Sequence, residues 1–507
     1  MYLVGAGPGD PGLLTLRGLE CIQRADVIVY DHLVNPVLLR HARPGAELIC
    51  AGKSARRHTL TQAETNALLI AKAREGKVVV RLKGGDPLVF GRGGEEGQEL
   101  RKAGVVFEVV PGVSSCIAAP ACAGIPVTHR GVATAFMVVT GHEDPAKGES
   151  QVDWKVVAQF PGTRVILMGV ERISEITSEL ITHGCAADTP AAIIRLGTTP
   201  RQQTLVGTVG TISSLAAQTQ LQPPAIIVLG EVVRLREQLE WFERRPLFGK
   251  RIVVTRSREQ ASELARQLLE LGADVLEIPT IAIRPPKNAA PLREAVRSIG
   301  TYDWLVFTSP NGVDAFFRVF FSKHEDIRDL GALKIAAIGS ATAQKLAALH
   351  LQVDLQPAQF TGEALLEMFR KEVSCENLKF LLPRADLADE KLARGLEDLG
   401  GIVDDLDAYQ TVPDREDWTG HRARLLAEGA DILTFTSSST VNNFCDLVNV
   451  TALLRQFPHM RVVSIGPQTS AAARARGLEI AAEAREHTVA GLVETVLALA
   501  MQERGVV

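Results

Sequence analysis

Short apolar runs alternate with longer stretches of helical period along almost the whole chain. The runs include Val27–Tyr30, Val78–Leu82, Val165–Met168, Ile226–Leu229, Ile252–Thr255 and Leu305–Thr308. Unbroken apolar runs of this length suit strands covered on both faces, and the intervening segments supply the crossover helices. The pattern predicts α/β domains with mostly parallel sheets. It is interrupted once, at Arg244-Arg245-Pro246-Leu247-Phe248-Gly249-Lys250, after a charged helix predicted over 234–243. A fresh strand is expected from Arg251. The seam is read as a flexible linker over 246–250 between two halves, 1–245 and 251–507.

Beyond the seam the chain repeats itself. Arg256 and Arg384, Gly272 and Gly400, and Thr308-Ser309 and Thr436-Ser437 each recur at a separation of 128. Gly339 and Gly466, and Thr361 and Thr488, recur at 127. Two related α/β lobes with a cleft between them are expected, and the repeat leaves open whether the first strands cross between lobes.

Two glycine–aspartate loops stand out in the first half: Val4-Gly5-Ala6-Gly7-Pro8-Gly9-Asp10-Pro11, and Gly84-Gly85-Asp86-Pro87 after a strand. Glycine after a strand lets backbone approach a ligand closely. An acidic residue there opposes a pyrophosphate, and the prolines delete amide donors that a phosphate cradle needs. The loops therefore point to a neutral or cationic ligand and away from a dinucleotide-dependent dehydrogenase. Asp31 ends the strand Val27–Tyr30 and Lys53 follows Leu48–Ala51, both at carboxyl ends that face a ligand crevice. Each also reads as a solvated surface residue, and Asp31 as a cap of the next turn.

Composition narrows the class. The 507 residues exceed one core, and 46% apolar with 22% charged residues is ordinary for a globular enzyme. A net charge of −4 gives no bias toward nucleic acid or an acidic membrane surface. No run has the length of a membrane span, and no basic-then-apolar leader follows Met1. Seven cysteines without a CxxC pair read as reduced thiols of a cytoplasmic protein and argue against a metal cluster.

The runs VGAGPGDPGLLTLRGLECIQRADVIVYDHLV and VVVRLKGGDPLVFGRGGEE, followed in order by VVPGVSS, GIPVTHRG, VVTGHE, LMGV, RLGTT and PPAIIVLG, resemble the tetrapyrrole methylases. The likeness extends over roughly 1–245 and is strongest to uroporphyrinogen-III C-methyltransferases. It implies subdomains of about 1–112 and 113–245, S-adenosylmethionine as methyl donor, and transfer of two methyl groups to uroporphyrinogen III, giving precorrin-2. It also implies a homodimer formed through this half. By position, Pro8, Gly84, Gly85, Asp86, Val89, Ser114, Ser115, Met168, Gly197 and Ala225 would contact the donor. Asp31 would be the proton acceptor and Lys53 the proton donor. The family carries Thr-Ala where this chain has Ser114-Ser115. An acceptor with many carboxylates calls for cations, and Lys53, Arg56, Arg57 and Arg130 are the candidates.

The second half shows no nucleophile–base pair and no phosphate loop. Hydroxyls at predicted helix starts stand out instead: Thr308, Ser309, Thr342, Ser437, Ser438 and Thr469. Each reads as an N-cap, and their duplication also suits an anion site between opposed helix N-termini. The pieces VVTRSREQASEL, FTSPNGVDAFF, AAIGSATAQKL, LLPRA, DAYQTVP, FTSSSTVNNF and SIGPQTSAAA resemble uroporphyrinogen-III synthase across 250–507. That likeness implies closure of hydroxymethylbilane to uroporphyrinogen III with inversion of the last ring. It gives Tyr409 the task of assisting loss of the hydroxyl, and lines the cleft with Thr342 and Thr469. Ser309, Asn311 and Ser437 would donate to substrate carboxylates that Arg256 and Arg384 neutralise.

The chain is thus expected to be a bifunctional cytoplasmic enzyme of tetrapyrrole synthesis without a metal, acting on small molecules and not on nucleic acid or membranes. The competing expectation is a methylase of the same fold acting on another tetrapyrrole, with the second half a non-catalytic ligand-binding module.

Overall fold

The computed structural model describes residues 1–52, 60–142, 151–255, 258–386, 389–417 and 419–503. Four five-stranded sheets organise them. The first contains β1 (Tyr2–Gly5), β2 (Val27–Tyr30), β3 (Glu47–Cys50), β4 (Val79–Lys83) and β5 (Glu108–Val110), in the order β3-β2-β4-β1-β5 with every pair parallel. The second contains β6 (Phe136–Thr140), β7 (Thr163–Leu167), β8 (Pro190–Arg195), β9 (Gln203–Thr208) and β10 (Ala225–Leu229). Its order is β6-β7-β10-β8-β9, and only β6–β7 is parallel. β8 and β9 run antiparallel across a loop too short for a crossover helix.

The second half adds β11 (Arg251–Val254), β12 (Asp274–Glu277), β13 (Ile281–Arg284), β14 (Trp304–Phe307), β15 (Lys334–Ala337), β16 (Lys379–Ala385), β17 (Ile402–Pro413), β18 (Ile432–Phe435), β19 (Arg461–Ser464) and β20 (Ala482–Glu483). They form the sheets β12-β11-β18-β19-β20 and β13-β17-β16-β14-β15. All pairs are parallel except β13–β17. The opening strands have exchanged partners between the repeats. β11 pairs with β18 of the second repeat, and β16 of the second repeat pairs with β14 of the first.

Each sheet is buried on both faces, as period-2 alternation of apolar side chains requires. In β1, Leu3 joins the core on one face and Val4 the core on the other. Phe307 and Phe380 divide the same way across the sheet built on β14 and β16. Polar caps start the flanking helices. Thr15 caps Leu16–Arg24 through a 3.1 Å bond from Gly18 N, and Thr61 with Glu64 forms a capping box before Gln62–Arg74.

The seam is packed. Leu247 is fully buried among Ile252, Val254 and Leu264, and the Arg245 guanidinium lies 4.8 and 4.5 Å over the rings of Trp241 and Phe242. In place of the predicted helix 234–243, a 3-10 turn Glu231–Leu235 runs into one α-helical turn, Arg236–Leu239, and Glu240 and Glu243 both bond Arg236. Arg40 of the first half also bonds Glu277 at the end of β12, at 2.7 Å.

Three glycines set the floor of the first carboxyl edge. A Cβ on Gly5 would lie 2.5 Å from Gly112 Cα and 2.6 Å from Gly85 O, and one on Gly112 would lie 2.3 Å from Gly85 O. Backbone meets backbone there, so no side chain can yield to make room. Gly112→Ala is expected to destabilise the first half by roughly 1–3 kcal/mol. Urea unfolding of that half should shift while the synthase rate of the same protein holds. An unshifted midpoint would show that the close approach carries no energy.

Candidate active sites

The loops after β1, β2, β4 and β5 all leave the carboxyl edge of the first sheet, where ligands of open parallel sheets bind. The first and third are cross-linked by backbone: Gly85 N donates to Gly7 O at 2.7 Å and Gly7 N to Gly85 O at 3.2 Å. Their acidic residues share one device. Asp10 accepts from Gly12 N and Asp86 from Leu88 N, both at 2.8 Å, two residues ahead and across a proline. These are Asx turns, with proline presetting the next φ. The other Asp86 oxygen accepts from Gly112 N at 3.0 Å. The carboxylates thus brace their own loops while keeping their negative charge at this edge.

The second sheet closes over this edge. Asp10 N donates to Thr198 Oγ1 at 3.2 Å, and a Cβ on Gly9 would lie 2.8 Å from Thr199 Cγ2. Register places Met168 beside Ala225, since Leu167 pairs with Ile226, and Ala225 pairs with Arg195 just before Gly197. Gly197 lies against Ala119 of the helix Ser115–Cys122, where its Cβ would sit 2.3 Å away. Ser114 starts that helix without a side-chain capping bond, its Oγ accepting from Cys116 Sγ. Pro8, Gly84, Gly85, Asp86, Ser114, Ser115, Met168, Gly197 and Ala225 therefore converge on the junction of the two sheets, with Val89 exposed at the end of its loop. Phe90, Met168, Leu196 and Thr198 hold φ between 48° and 70° around it. Such backbone is costly for residues with a Cβ and collects at functional sites.

A donor such as S-adenosylmethionine fits this junction on one further observation. Gly85 has φ +69°, and a Cβ there would meet nothing nearer than Ser114 Cα at 4.0 Å, so bare backbone faces open space.

Asp31 follows β2 at the same edge, its carboxylate paired with Arg81. Arg81 and Lys83 on β4 are both buried, and both bond Glu96. None of these three was singled out from the sequence. The signal was present in VVVRLKGGDP, since cations two apart in an apolar strand share a face and demand a buried anion. Arg130 is exposed in the segment between the helix Ser115–Cys122 and β6. Lys53, Arg56, Arg57 and Arg256 lie outside the described residues.

In the second half, the ribbon β13–β17 joins the lobes. The chain leaves the carboxyl end of β12 and enters β13 opposite the carboxyl end of β17, with Ile281 facing Pro413. Both carboxyl edges therefore open toward that ribbon. On one, Ser309 Oγ and Tyr409 OH are hydrogen-bonded at 2.9 Å, with Asn311 in the first turn of Pro310–Phe320 and Thr342 buried in Ser340–Ala347. Ser309 also accepts from Gly312 N at 3.1 Å, so cap and site residue coincide. On the other edge, Ser437 caps Ser438–Leu447 and Thr469 is buried in Pro467–Ala475.

Arg384 already has partners inside the protein. It is buried and bidentate on Asp405, with Nε–Oδ1 at 2.7 Å, and its Nη1 donates to Asp389 O at 2.5 Å. Its guanidinium thus braces β16 against β17.

Among the described residues no helix is long and apolar enough to cross a membrane, and no group of three or more acidic, histidine or cysteine side chains is placed to hold a metal ion.

Residues 1–213 match the family model of tetrapyrrole (corrin/porphyrin) methylases, and 262–494 match that of uroporphyrinogen-III synthase HemD. A porphyrin biosynthesis protein HemD of Ruminiclostridium josui is 38% identical over 497 residues, 98% of this chain and 97% of the relative. A uroporphyrinogen-III C-methyltransferase of Bacillus subtilis is 43% identical over 402 residues, 78% of this chain and 82% of its own. An S-adenosyl-L-methionine-dependent uroporphyrinogen III methyltransferase of Methanosarcina barkeri is 54% identical over 239 residues, 47% of this chain and 94% of the relative. The chain belongs to the family that joins a tetrapyrrole methylase to a HemD-type uroporphyrinogen-III synthase, a bifunctional enzyme of tetrapyrrole biosynthesis that takes its methyl groups from S-adenosylmethionine.

Proposed function

We propose that the second half closes hydroxymethylbilane to uroporphyrinogen III in the cleft spanned by the β13–β17 ribbon, and that the junction of the first two sheets then methylates this product twice to precorrin-2. The observation that carries the methylase reading is the bare backbone at Gly85, beside the glycine contact floor and opposite the loop 196–199. S-adenosylmethionine supplies an electrophilic methyl on a cationic sulfur. Pro8, Gly84, Gly85, Asp86, Val89, Ser114, Ser115, Met168, Gly197 and Ala225 hold that donor so that carbon, methyl and sulfur lie in line, which accounts for most of the acceleration. Asp31 takes up the proton lost from the pyrrole ring, and Lys53 returns one. Arg56 and Arg130 steer the acceptor's carboxylates.

In the synthase cleft, Tyr409 protonates the departing hydroxyl, and Ser309, its 2.9 Å partner, holds the phenol in place. Asn311, Thr342, Ser437, Thr469 and Arg256 bind substrate carboxylates. The boundaries 1–245 and 251–507 describe the two catalytic units. The protein works in the cytoplasm, away from membranes and nucleic acid, as a homodimer formed through the methylase half. Leu16 and Val106, 82% and 88% exposed, support that pairing, since Arg17 beside Leu16 bonds Glu108 on the edge strand β5.

Hydroxymethylbilane and S-adenosylmethionine supplied together should yield a dimethylated product by mass. Asp31→Asn should stop the sequence at uroporphyrinogen III, with methyl transfer lowered by about 10²-fold or more. Full methylation by that variant would remove Asp31 from the mechanism. Tyr409→Phe should slow ring closure by about 10²-fold and leave methylation of added uroporphyrinogen III unchanged. An unaltered closure rate would return Tyr409 to a packing role. Sedimentation should give twice the chain mass at micromolar concentration, and a monomer there would refute the dimer.

A further inference from the structure

Arg81 and Lys83 stand two apart on β4, so both leave the sheet on one face. Val79 precedes them on that face, in a core shared with Leu69 and Leu100. Toward the carboxyl edge this apolar core gives way to a buried ionic cluster. Arg81 and Lys83 are 4% and 3% exposed, and Glu96 of the helix Gly93–Lys102 is 0% exposed.

One oxygen of Glu96 takes three donors: Arg81 Nε at 3.1 Å, Lys83 Nζ at 3.0 Å and Gln62 Nε2 at 3.1 Å. Its other oxygen, equally buried, has no partner among the described residues. The far side of the Arg81 guanidinium bonds Val29 O at 3.4 Å and the carboxylate of Asp31. A planar guanidinium held on two edges by two carboxylates has its orientation fixed. Two cations and two anions thus run in sequence Lys83, Glu96, Arg81, Asp31, ending at the edge where the methyl donor is read.

We infer that Glu96 is a positioning residue for methyl transfer, holding Arg81 so that Arg81 holds the Asp31 carboxylate toward the acceptor. This rests on the reading of Asp31 as proton acceptor. Stability alone does not account for the cluster. Apolar side chains of similar volume would continue the Val79 core at no cost or with a gain, and a buried oxygen left without a partner is a penalty that calls for a reason. Without Glu96 the cluster holds adjacent cations. Burial and then the Arg81 charge already lower the Lys83 pKa from its ordinary value, opposed by Glu96 and Asp31.

A double-mutant cycle with Glu96→Gln and Asp31→Asn tests the inference, with methyl transfer followed in the full chain and the synthase rate as internal control. Glu96→Gln should lower methyl-transfer kcat by about tenfold to a hundredfold. The KM for S-adenosylmethionine should stay within about twofold and the synthase rate should not change. The double variant should be no slower than Asp31→Asn alone. Because a neutral amide among buried cations risks misfolding, Glu96→Met with Lys83→Met removes one charge of each sign. That pair should bind the donor and still transfer methyl slowly, since Arg81 has lost its fixed partner. Additive losses in the cycle, a loss confined to KM, or a wild-type rate in the Met pair would each overturn the inference while leaving Asp31 in place. A fully active Asp31→Asn protein would overturn the reading of Asp31, and the role of Glu96 with it.

Discussion

Contact of backbone on backbone at Gly5, Gly85 and Gly112 is the constraint on which the methylase half is built. Neighbouring parallel strands end in loops that approach so closely that Gly5 and Gly112 have no room for a Cβ, while Gly85 supplies the carbonyl they meet and a positive φ. Once the three segments touch, their surroundings are determined. Asp86 reaches across to Gly112 N, the Gly7–Gly85 pair forms, and Ser114 starts its helix beside the gap over Gly85. A rigid floor is what an in-line displacement needs, because misalignment by about 1 Å costs a large part of the rate.

Much of this was legible in the chain. Apolar runs located the strands, glycine after strand located the edges, and motif order identified both families. The acidic residues of the two loops were harder. Asp10 and Asp86 each precede a proline and lie two residues before a backbone N–H, the sequence form of an Asx turn. Their charge pointed to the ligand, and their spacing adds local bracing. The partner of Arg384 was hidden for a related reason. A cation at a strand end looks available until the strand beside it is known, and Asp405 comes from β17. Glu96 was invisible because its partners reach it from a strand and a neighbouring helix, and no spacing within its own helix reports them.

The duplicated second half shows where periodicity stops being informative. Repeats mark common descent of segments, not which segments pack together. Here β11 and β12 complete the sheet of β18–β20, while β16 and β17 complete that of β14 and β15. Neither repeat can bury its own sheet, so each depends on strands from the other for its core. The exchange also produces the ribbon, since a chain that changes sheets must cross and return.

The packed seam bears on how that ribbon behaves. Leu247 enters the core beneath β11, and Arg40 grips the end of β12, so both attachments fall on the lobe carrying Ser437 and Thr469. Among the described residues, the lobe bearing Tyr409 and Ser309 is hung from the ribbon. The two strand crossings at Ile281 and Pro413 are thus the covalent link between the anchored lobe and the one that carries the Ser309–Tyr409 pair.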